Sequence, residues 1–441
     1  MASELEKLPD TWKTLTLGTI AKGFLSGGTP STKNQEFWQG SVPWITSKWL
    51  NSRLYLHNGE KFISEEAVRK SATTVIPRDN LVFATRVGVG KVAINSLDLA
   101  INQDLAGIII DSAQYDLSFL AYQLRSERIQ NAVASHKRGA TIQGITRDSL
   151  KELELHLPPL PEQRKIAAVL GTVQRAIEEQ ERLLQLTTEL KKSLLHKFFT
   201  EGLRGEPQKM TEIGPVPERW EATTLGELAS KPDGFLQTGP FGSQLHKHDY
   251  QEDGLGVVNP THLSGNRINQ EGIPRVGPKI AALLERHRLE PGDILFARRG
   301  EIGRHGMVTK QEAGWLCGTG CFLARVRRPF IDNRFISYFV SIPSVIAWLN
   351  GHAAGAIMPN LNNTVLHSIP VFYPDFKAQT EIADSLDAVE QKALAHTRKY
   401  AILADLFRTL LQQLMTAQIL VNEVVLSEIE KADKQVRQND H

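Results

Sequence analysis

Leu157-Pro158-Pro159-Leu160-Pro161-Glu162-Gln163-Arg164-Lys165-Ile166-Ala167-Ala168-Val169-Leu170 closes a stretch that the chain uses twice. Gly139 to Leu170 aligns without a gap to Gly355 to Leu386, 216 positions later. The identities are Gly139/Gly355, Ala140/Ala356, Leu150/Leu366, Pro158/Pro374, Gln163/Gln379, Ile166/Ile382, Ala167/Ala383 and Leu170/Leu386. Two earlier blocks recur in the same order. Leu8-Pro9-Asp10-Thr11-Trp12, continuing to Thr16-Leu17-Gly18, answers Val216-Pro217-Glu218-Arg219-Trp220, continuing to Thr224-Leu225-Gly226, at an offset of 208. Phe83-Ala84-Thr85-Arg86 answers Phe296-Ala297-Arg298-Arg299 at an offset of 213. Three ordered blocks make the chain a tandem repeat, and the drifting offset puts insertions in loops.

Each copy opens with about 150 residues of short apolar runs and turn signals, which reads as an α+β globular domain. Leu105 to Ile110 and Val371-Phe372-Tyr373 read as strands. Tyr115 to Val133 and Asn333 to Leu349 read as helices. Strand order is not readable from the pattern. Each copy then closes on a long helix. In the second, Ile382, Leu386, Val389, Ala393, His396, Tyr400, Leu403, Phe407, Leu410, Leu414 and Ala417 keep a 4,3 spacing, a heptad seam. The first carries Ile166, Leu170, Val173, Ile177, Gln180, Leu184, Thr187, Lys191, Leu194 and Phe198 at the matching positions, a seam with polar interruptions. A helix from Pro161 to Leu203 would be about 64 Å long. A stripe of that length must be buried, and two copies in one chain most simply bury each other as a coiled coil. Pro161 and Asp375 stand where a first-turn proline and an N-cap are expected.

The divisions that follow are a first domain over 1–160, a spacer helix over 161–203, a linker over 204–215, a second domain over 216–374, a second spacer helix over 375–418 and a polar tail over 419–441.

Composition bounds the function. The 441 residues hold 41% hydrophobic residues, enough for real cores. Net charge is +2, so bulk charge does not coat a polyanion. Residues 1–160 carry 18 basic and 16 acidic side chains, and residues 216–374 carry 16 and 14, so each globular domain is mildly basic. Two cysteines, Cys317 and Cys321, exclude a disulfide framework and a four-cysteine zinc site, and suit a reducing cytosol. The N-terminus shows no signal core and no apolar run has membrane-spanning length, so a soluble intracellular protein without a membrane partner is expected.

Catalytic motifs are scarce. Val87-Gly88-Val89-Gly90-Lys91 lacks the glycine spacing and the hydroxyl residue of a phosphate loop, and reads as a turn between strands. His246 and His248 have no further ligand cluster, so no metal is expected. The nucleophile elbow, the Asn-Pro-Pro-aromatic run of an amino-methyltransferase and a convincing nuclease triad are all missing. What remains is basic side chains in turn-rich segments, suited to phosphates and base edges. The candidates are Ser47, Lys48, Arg86, Lys91, Lys137 and Arg138 in the first copy. In the second they are Lys247, Asn259, Arg298, Arg299 and Arg304.

These blocks, taken in order, resemble the specificity subunit of type I restriction–modification systems over nearly the whole chain. The resemblance is carried by Leu8-Pro9-x-x-Trp12 with Leu17-Gly18, Val42-Pro43-Trp44-Ile45-Thr46, Asn102-Gln103-Asp104, Leu157 to Ala167, Thr211-Glu212-Ile213-Gly214-x-Val216-Pro217-x-x-Trp220 and Gly239-Pro240-Phe241-Gly242-Ser243. It implies two target recognition domains separated by two antiparallel helices, with pseudo-two-fold symmetry. Each domain would read half of an interrupted sequence in double-stranded DNA, and the helices would set the gap. Partners would be two modification subunits, using S-adenosylmethionine to methylate adenine, and two ATP- and Mg2+-dependent restriction subunits, in a bacterial or archaeal cytoplasm. This chain would hold no cofactor and do no chemistry. A fused methyltransferase–nuclease and a coiled-coil adaptor that never meets DNA are the competing readings.

The copies also differ. Pro359-Asn360-Leu361-Asn362 replaces Gln143-Gly144-Ile145-Thr146, Ala353-Ala354 faces Lys137-Arg138, and Leu316-Cys317-Gly318-Thr319-Gly320 is aligned with Ile101-Asn102-Gln103-Asp104-Leu105. The two halves are therefore expected to read different bases.

Overall fold

The computed structural model describes residues 8–137, 144–232, 234–241, 244–353 and 361–421. The chain forms two compact units, and neither is one sequence repeat. One combines residues 1–183 with 396–441; the other is 184–395. Each unit therefore owns one globular domain and a piece of both long helices.

In the first unit a five-stranded sheet runs in the order Ala21–Ser26, Leu105–Ile110, Asn80–Ala84, Val92–Asn95, Tyr55–Leu56. A four-stranded sheet runs Lys61–Ile63, Val42–Ile45, Leu99–Ile101, Thr74–Ile76. A short ladder joins Lys13–Thr16 to Glu154–Leu157, which brings both ends of the domain to the foot of the first long helix. The second unit repeats the plan. Phe235–Thr238, Cys321–Arg325, Ile294–Ala297 and His305–Met307 form one sheet, and Tyr250–Gln251, Arg275–Val276, Leu255–Val258 and Leu316–Cys317 another. Glu221–Thr224 pairs with Pro370–Tyr373. Repeat-equivalent parallel pairs occur in both copies, Ile45 opposite Ile101 and Val258 opposite Cys317.

That register corrects the alignment of one variable segment. Cys317, not Leu316, is the counterpart of Ile101, so Gly318 matches Asn102. The main chain agrees: Asn102 N–H donates to Ile45 O at 3.1 Å and Gly318 N–H donates to Val258 O at 2.9 Å. Side-chain identity had nothing to fix the register there; backbone pairing does.

Two helix expectations are also refined. Tyr115 to Val133 holds two helices, Leu117–Arg125 and Glu127–Ser135, broken at Ser126 in extended conformation. Asn333 to Leu349 breaks in the same place, into Asn333–Phe339 and Pro343–His352, with Pro343 opening the second helix. The stretch read as a linker is not featureless: Gln208–Thr211 and Gly214–Pro217 form a hairpin, and Glu212 accepts from Trp348 Nε1 at 2.9 Å. Its glycine and prolines made a turn of the chain, and Ile213 gave that turn something to bury.

The long helices are Leu160–Glu201 and Phe376–Met415. Asp375 caps the second, accepting from Ala378 N–H at 3.0 Å. Every apolar seam position named above is buried or half-buried in its unit. In the first unit Ile166, Ala167 and Leu170 share a core with Leu414 and Met415, while Gln180 accepts from His396 Nδ1 at 2.9 Å. In the second, Phe198 and Phe199 share a core with Ile382 and Leu386, and Lys191 meets Glu390 at 3.5 Å. In both units rising numbers on one helix face falling numbers on the other, so the segments run antiparallel. Gln180 and His396 are equivalent by the repeat. Equivalent positions meet only near the middle of such a pair. Fully buried Leu170, Ile382 and Leu386 each contribute roughly 1.5–3 kcal/mol.

One buried glutamine per copy fastens helix to domain. Gln163 Nε2 donates to Pro158 O at 2.8 Å, and its Oε1 accepts from Asp116 N–H at 3.0 Å. Gln379 repeats both bonds, to Pro374 O at 2.9 Å and from Asp332 N–H at 3.0 Å. Both side chains are almost fully buried, so a methionine of similar length would strand a carbonyl and an amide. Gln163→Met and Gln379→Met should each cost about 1–3 kcal/mol in urea unfolding. An unchanged midpoint in both variants would remove these glutamines from any structural role.

Candidate nucleic-acid interface

In each copy several loops gather at one edge of the domain. In the first, Thr85 N–H donates to Asp104 O at 2.8 Å, and Thr85 O accepts from Ile145 N–H at 2.9 Å. Lys91 Nζ donates to Leu50 O at 2.9 Å, tying the 46–50 turn to the hairpin turn 85–91. Thr29 Oγ1 donates to Gln103 Oε1 at 2.6 Å and adds the Ser26–Pro30 loop. In the second copy Arg298 N–H donates to Gly320 O at 2.8 Å, and Arg298 O accepts from Leu361 N–H at 3.0 Å. Gly239 N–H donates to Cys321 O at 2.8 Å and brings in the loop after Phe235–Thr238. Short strands tied by main-chain bonds thus hold four or five loops in one place.

The sequence candidates divide on this frame. Lys48, Arg86 and Lys91 fall on the same loop cluster of the first domain, and all three are exposed. Ser47, the other candidate on this turn, is 2% exposed, because the short turn Ser47–Trp49 rolls it inward while sending Lys48 and Trp49 out. Lys137 is exposed at the end of helix Glu127–Ser135, and Arg138 lies outside the described residues. In the second domain Arg298, Arg299 and Arg304 share the turn 298–304. Arg299 is exposed; Arg298 and Arg304 are half-buried, with the Arg298 guanidinium 6.0 Å from the Phe322 ring centre. Lys247 is exposed on a short turn, and Asn259 is half-buried beside Gly318.

Electrostatics separates occupied from available cations. Arg267 is held by Glu390 at 2.7 Å and Arg288 by Glu285 at 2.6 Å. Arg325 is locked by buried Asp293 at 2.7 Å, and Arg334 by Asp332 and Asp384, each at 2.7 Å. The hydrogen bond to Asp332 leads in pushing the Arg334 guanidinium above its ordinary value. Among the described residues no ion pair holds Lys48, Arg86, Arg299 or Arg304. A guanidinium already neutralised gives little to a phosphate; these four remain to give.

Among the described residues no cluster of histidine, cysteine and carboxylate is placed to hold a metal, and no helix is long and apolar enough to cross a membrane. Cys317 and Cys321 are buried neighbours, and the Cys321 thiol and burial push the Cys317 thiol up.

The heptad reading missed one pair of features on the long helices. Leu186 and Leu190 are about half exposed on the first, and Ile402 and Leu406 are exposed on the second. Each pair is spaced i, i+4, and the pairs are equivalent at the 216 offset. Apolar residues recurring off the seam at the repeat offset were the available signal.

Comparison with known proteins bears on the whole architecture. A family model for the type I restriction modification DNA specificity domain matches residues 9–188 and again 217–404. The MjaIX specificity subunit of Methanocaldococcus jannaschii is 28% identical over 244 residues, 53% of this chain and about half, 55%, of that relative. The MjaVIII specificity subunit of the same organism is 22% identical over 391 residues, 87% of each chain. A crystal structure of a type I restriction-modification S subunit from M. genitalium has the same fold, with a TM-score of 0.62 at 18% identity over 92% of this chain and 97% of that one. With the model matching both copies over most of its length, the chain belongs to the family of type I restriction–modification DNA specificity subunits.

Proposed function

We propose that this chain is the address-reading subunit of a modification and restriction assembly, binding double-stranded DNA at two half-sites and making or breaking no bond itself. The observation that carries the reading is the pair of equivalent loop edges, each with arginines or lysines that no ion pair holds among the described residues. Two domains of one plan suit the two strands of a duplex. Their different loops suit a target that is not a palindrome. The antiparallel helices would act as a spacer whose length sets the gap between half-sites. Linking two readers also raises affinity through effective concentration.

The reading extends to partners. Leu186/Leu190 and Ile402/Leu406 are apolar pairs facing water at equivalent positions, which suits two copies of one partner. We assign them to two modification subunits, which would bring S-adenosylmethionine. Two restriction subunits would bring ATP and Mg2+. The setting would be a bacterial or archaeal cytoplasm.

Four experiments test this. Arg86→Ala and Arg299→Ala should each weaken binding of a target duplex several-fold, reduce the salt slope by about one and protect less of a single half-site in footprinting. Unchanged affinity would reject the residue concerned. Leu190→Asp and Leu406→Asp should each leave complexes lacking one modification subunit by native mass measurement, and full occupancy in both would reject the docking assignment. Inserting four residues between Thr187 and Glu189 should alter the preferred gap in a selection from duplexes with variable spacing. An unaltered gap would refute the spacer. Methyl transfer by the purified chain alone would overturn the non-catalytic reading.

A further inference from the structure

The two hairpin turns at the loop edges can be compared residue by residue, because the same bonds hold both. Thr85 to Lys91 joins strands Asn80–Ala84 and Val92–Asn95; Arg298 to Arg304 joins Ile294–Ala297 and His305–Met307. The offset is 213 throughout. The bases of the turns match: Thr85 and Arg298 each donate to the loop beside them and accept from the segment near 145 or 361. Val89 and Ile302 both pack into their domain cores. Gly90 and Gly303 both take positive φ, +95° and +85°, which a side chain would strain. Arg86 and Arg299 both stand exposed, and Lys91 N–H and Arg304 N–H donate to equivalent carbonyls, those of Gly88 and Glu301.

The tips differ. In the first turn the second left-handed glycine is Gly88, φ +71°, and the side chain at the tip is Val87, 44% exposed. In the second turn the left-handed glycine has moved one place, to Gly300, φ +90°, and the tip side chain is Glu301, also exposed. So one rigid frame presents an apolar branched group in one domain and a carboxylate in the other. Neither has an internal reason to be there. Val87 covers no core, and among the described residues no ion pair joins Glu301 to Arg299 or Arg304. A carboxylate beside Arg299 and Arg304, which no ion pair holds among the described residues, is repelled by every phosphate that such a surface meets. It is tolerable where it faces a base edge with an amino group.

Features shared by both turns cannot tell two half-sites apart; features that differ can. We propose that Val87 and Glu301 are specificity-determining residues: Val87 contacts the methyl group of a thymine in one half-site, and Glu301 accepts from the cytosine amino group in the other. These are the major-groove groups that suit an apolar side chain and a carboxylate. Arg86 and Arg299, common to both, hold phosphates. The inference rests on the DNA-reading function proposed above and adds which bases the tips prefer.

The test is a binding selection with the full-length chain, and in parallel with its assembled complex, from a pool of randomised duplexes. Wild type, Val87→Ala, Glu301→Gln and Arg299→Ala are compared. Glu301→Gln should lose cytosine preference at one position of one half-site by roughly tenfold or more, with adenine gaining, since an amide pairs with adenine. Val87→Ala should lose thymine preference at one position of the other half-site. Arg299→Ala should lower recovery without changing any base preference. Identical preferences in wild type, Val87→Ala and Glu301→Gln would overturn this inference while leaving DNA reading intact. No enriched sequence from wild type in either form would overturn both. Because both side chains lie on exposed tips, the variants keep their cores, and unchanged urea midpoints verify it.

Discussion

The arrangement of each copy depends on a single buried amide. Gln163 and Gln379 lie one turn into the long helices, and each reaches sideways to the residue that caps the next helix of its domain. A glutamine amide carries a donating nitrogen and an accepting oxygen at a fixed separation, and here both ends are engaged inside the protein. The helix can thus neither rotate about its axis nor slide without stranding polar atoms away from water. The short ladders Lys13–Thr16 with Glu154–Leu157, and Glu221–Thr224 with Pro370–Tyr373, close the domain against the same helix foot. Sheet, helix and loop edge then follow from a common anchor, which is why the loop edges of both copies come out on one plan.

On that plan the copies are decorated differently. Trp12 Nε1 donates to Glu162 at 3.2 Å; the equivalent of Glu162 is Ala378, and Trp220 Nε1 is buried with no partner among the described residues. Tyr338 has its hydroxyl at 2.6 Å from Asp387 and 2.8 Å from Glu390; the residues equivalent to these two are Gly171 and Gln174, and the hydroxyl of Tyr122 is buried without a partner among the described residues. Burial leads in pushing both phenols above their ordinary range. At this tyrosine the second copy uses carboxylates of its own long helix, whereas in the first copy Tyr122 packs its ring against Phe407 of helix Phe376–Met415 at 5.8 Å. Different means reach one geometry, and drift in sequence identity between the copies follows from that.

Much of the fold was legible because repetition is strong evidence within a single chain. The identities at Gln163/Gln379 and the seam Ile166–Phe198 marked both long helices without any structure. Strand order was not legible, since short runs such as Tyr55–Leu56 or Arg275–Val276 carry no periodicity. The helix breaks at Ser126 and Ile342 were hidden because both flanks are good helix sequence, although Pro343 was a clue in one copy. At the candidate interface, residue type alone could not show which cations were free. Arg267 and Arg299 look alike in sequence, and only the placement of Glu390 separates them. The burial of Ser47 was hidden for a related reason: a three-residue turn decides which of its side chains faces water.

The discontinuity of the first unit has a consequence for how the protein is made. Leu414 and Met415 are 2% and 3% exposed in a core whose other buried members lie before residue 171. All of residues 184–395 must be synthesised before those two emerge. At roughly 5–20 residues per second that is on the order of ten to forty seconds. During this interval the first domain stands with its helix stripe uncovered, while the second completes itself from a contiguous stretch of chain. The part translated first is thus the part finished last, and its open seam is where a nascent chain would need a chaperone or an early partner.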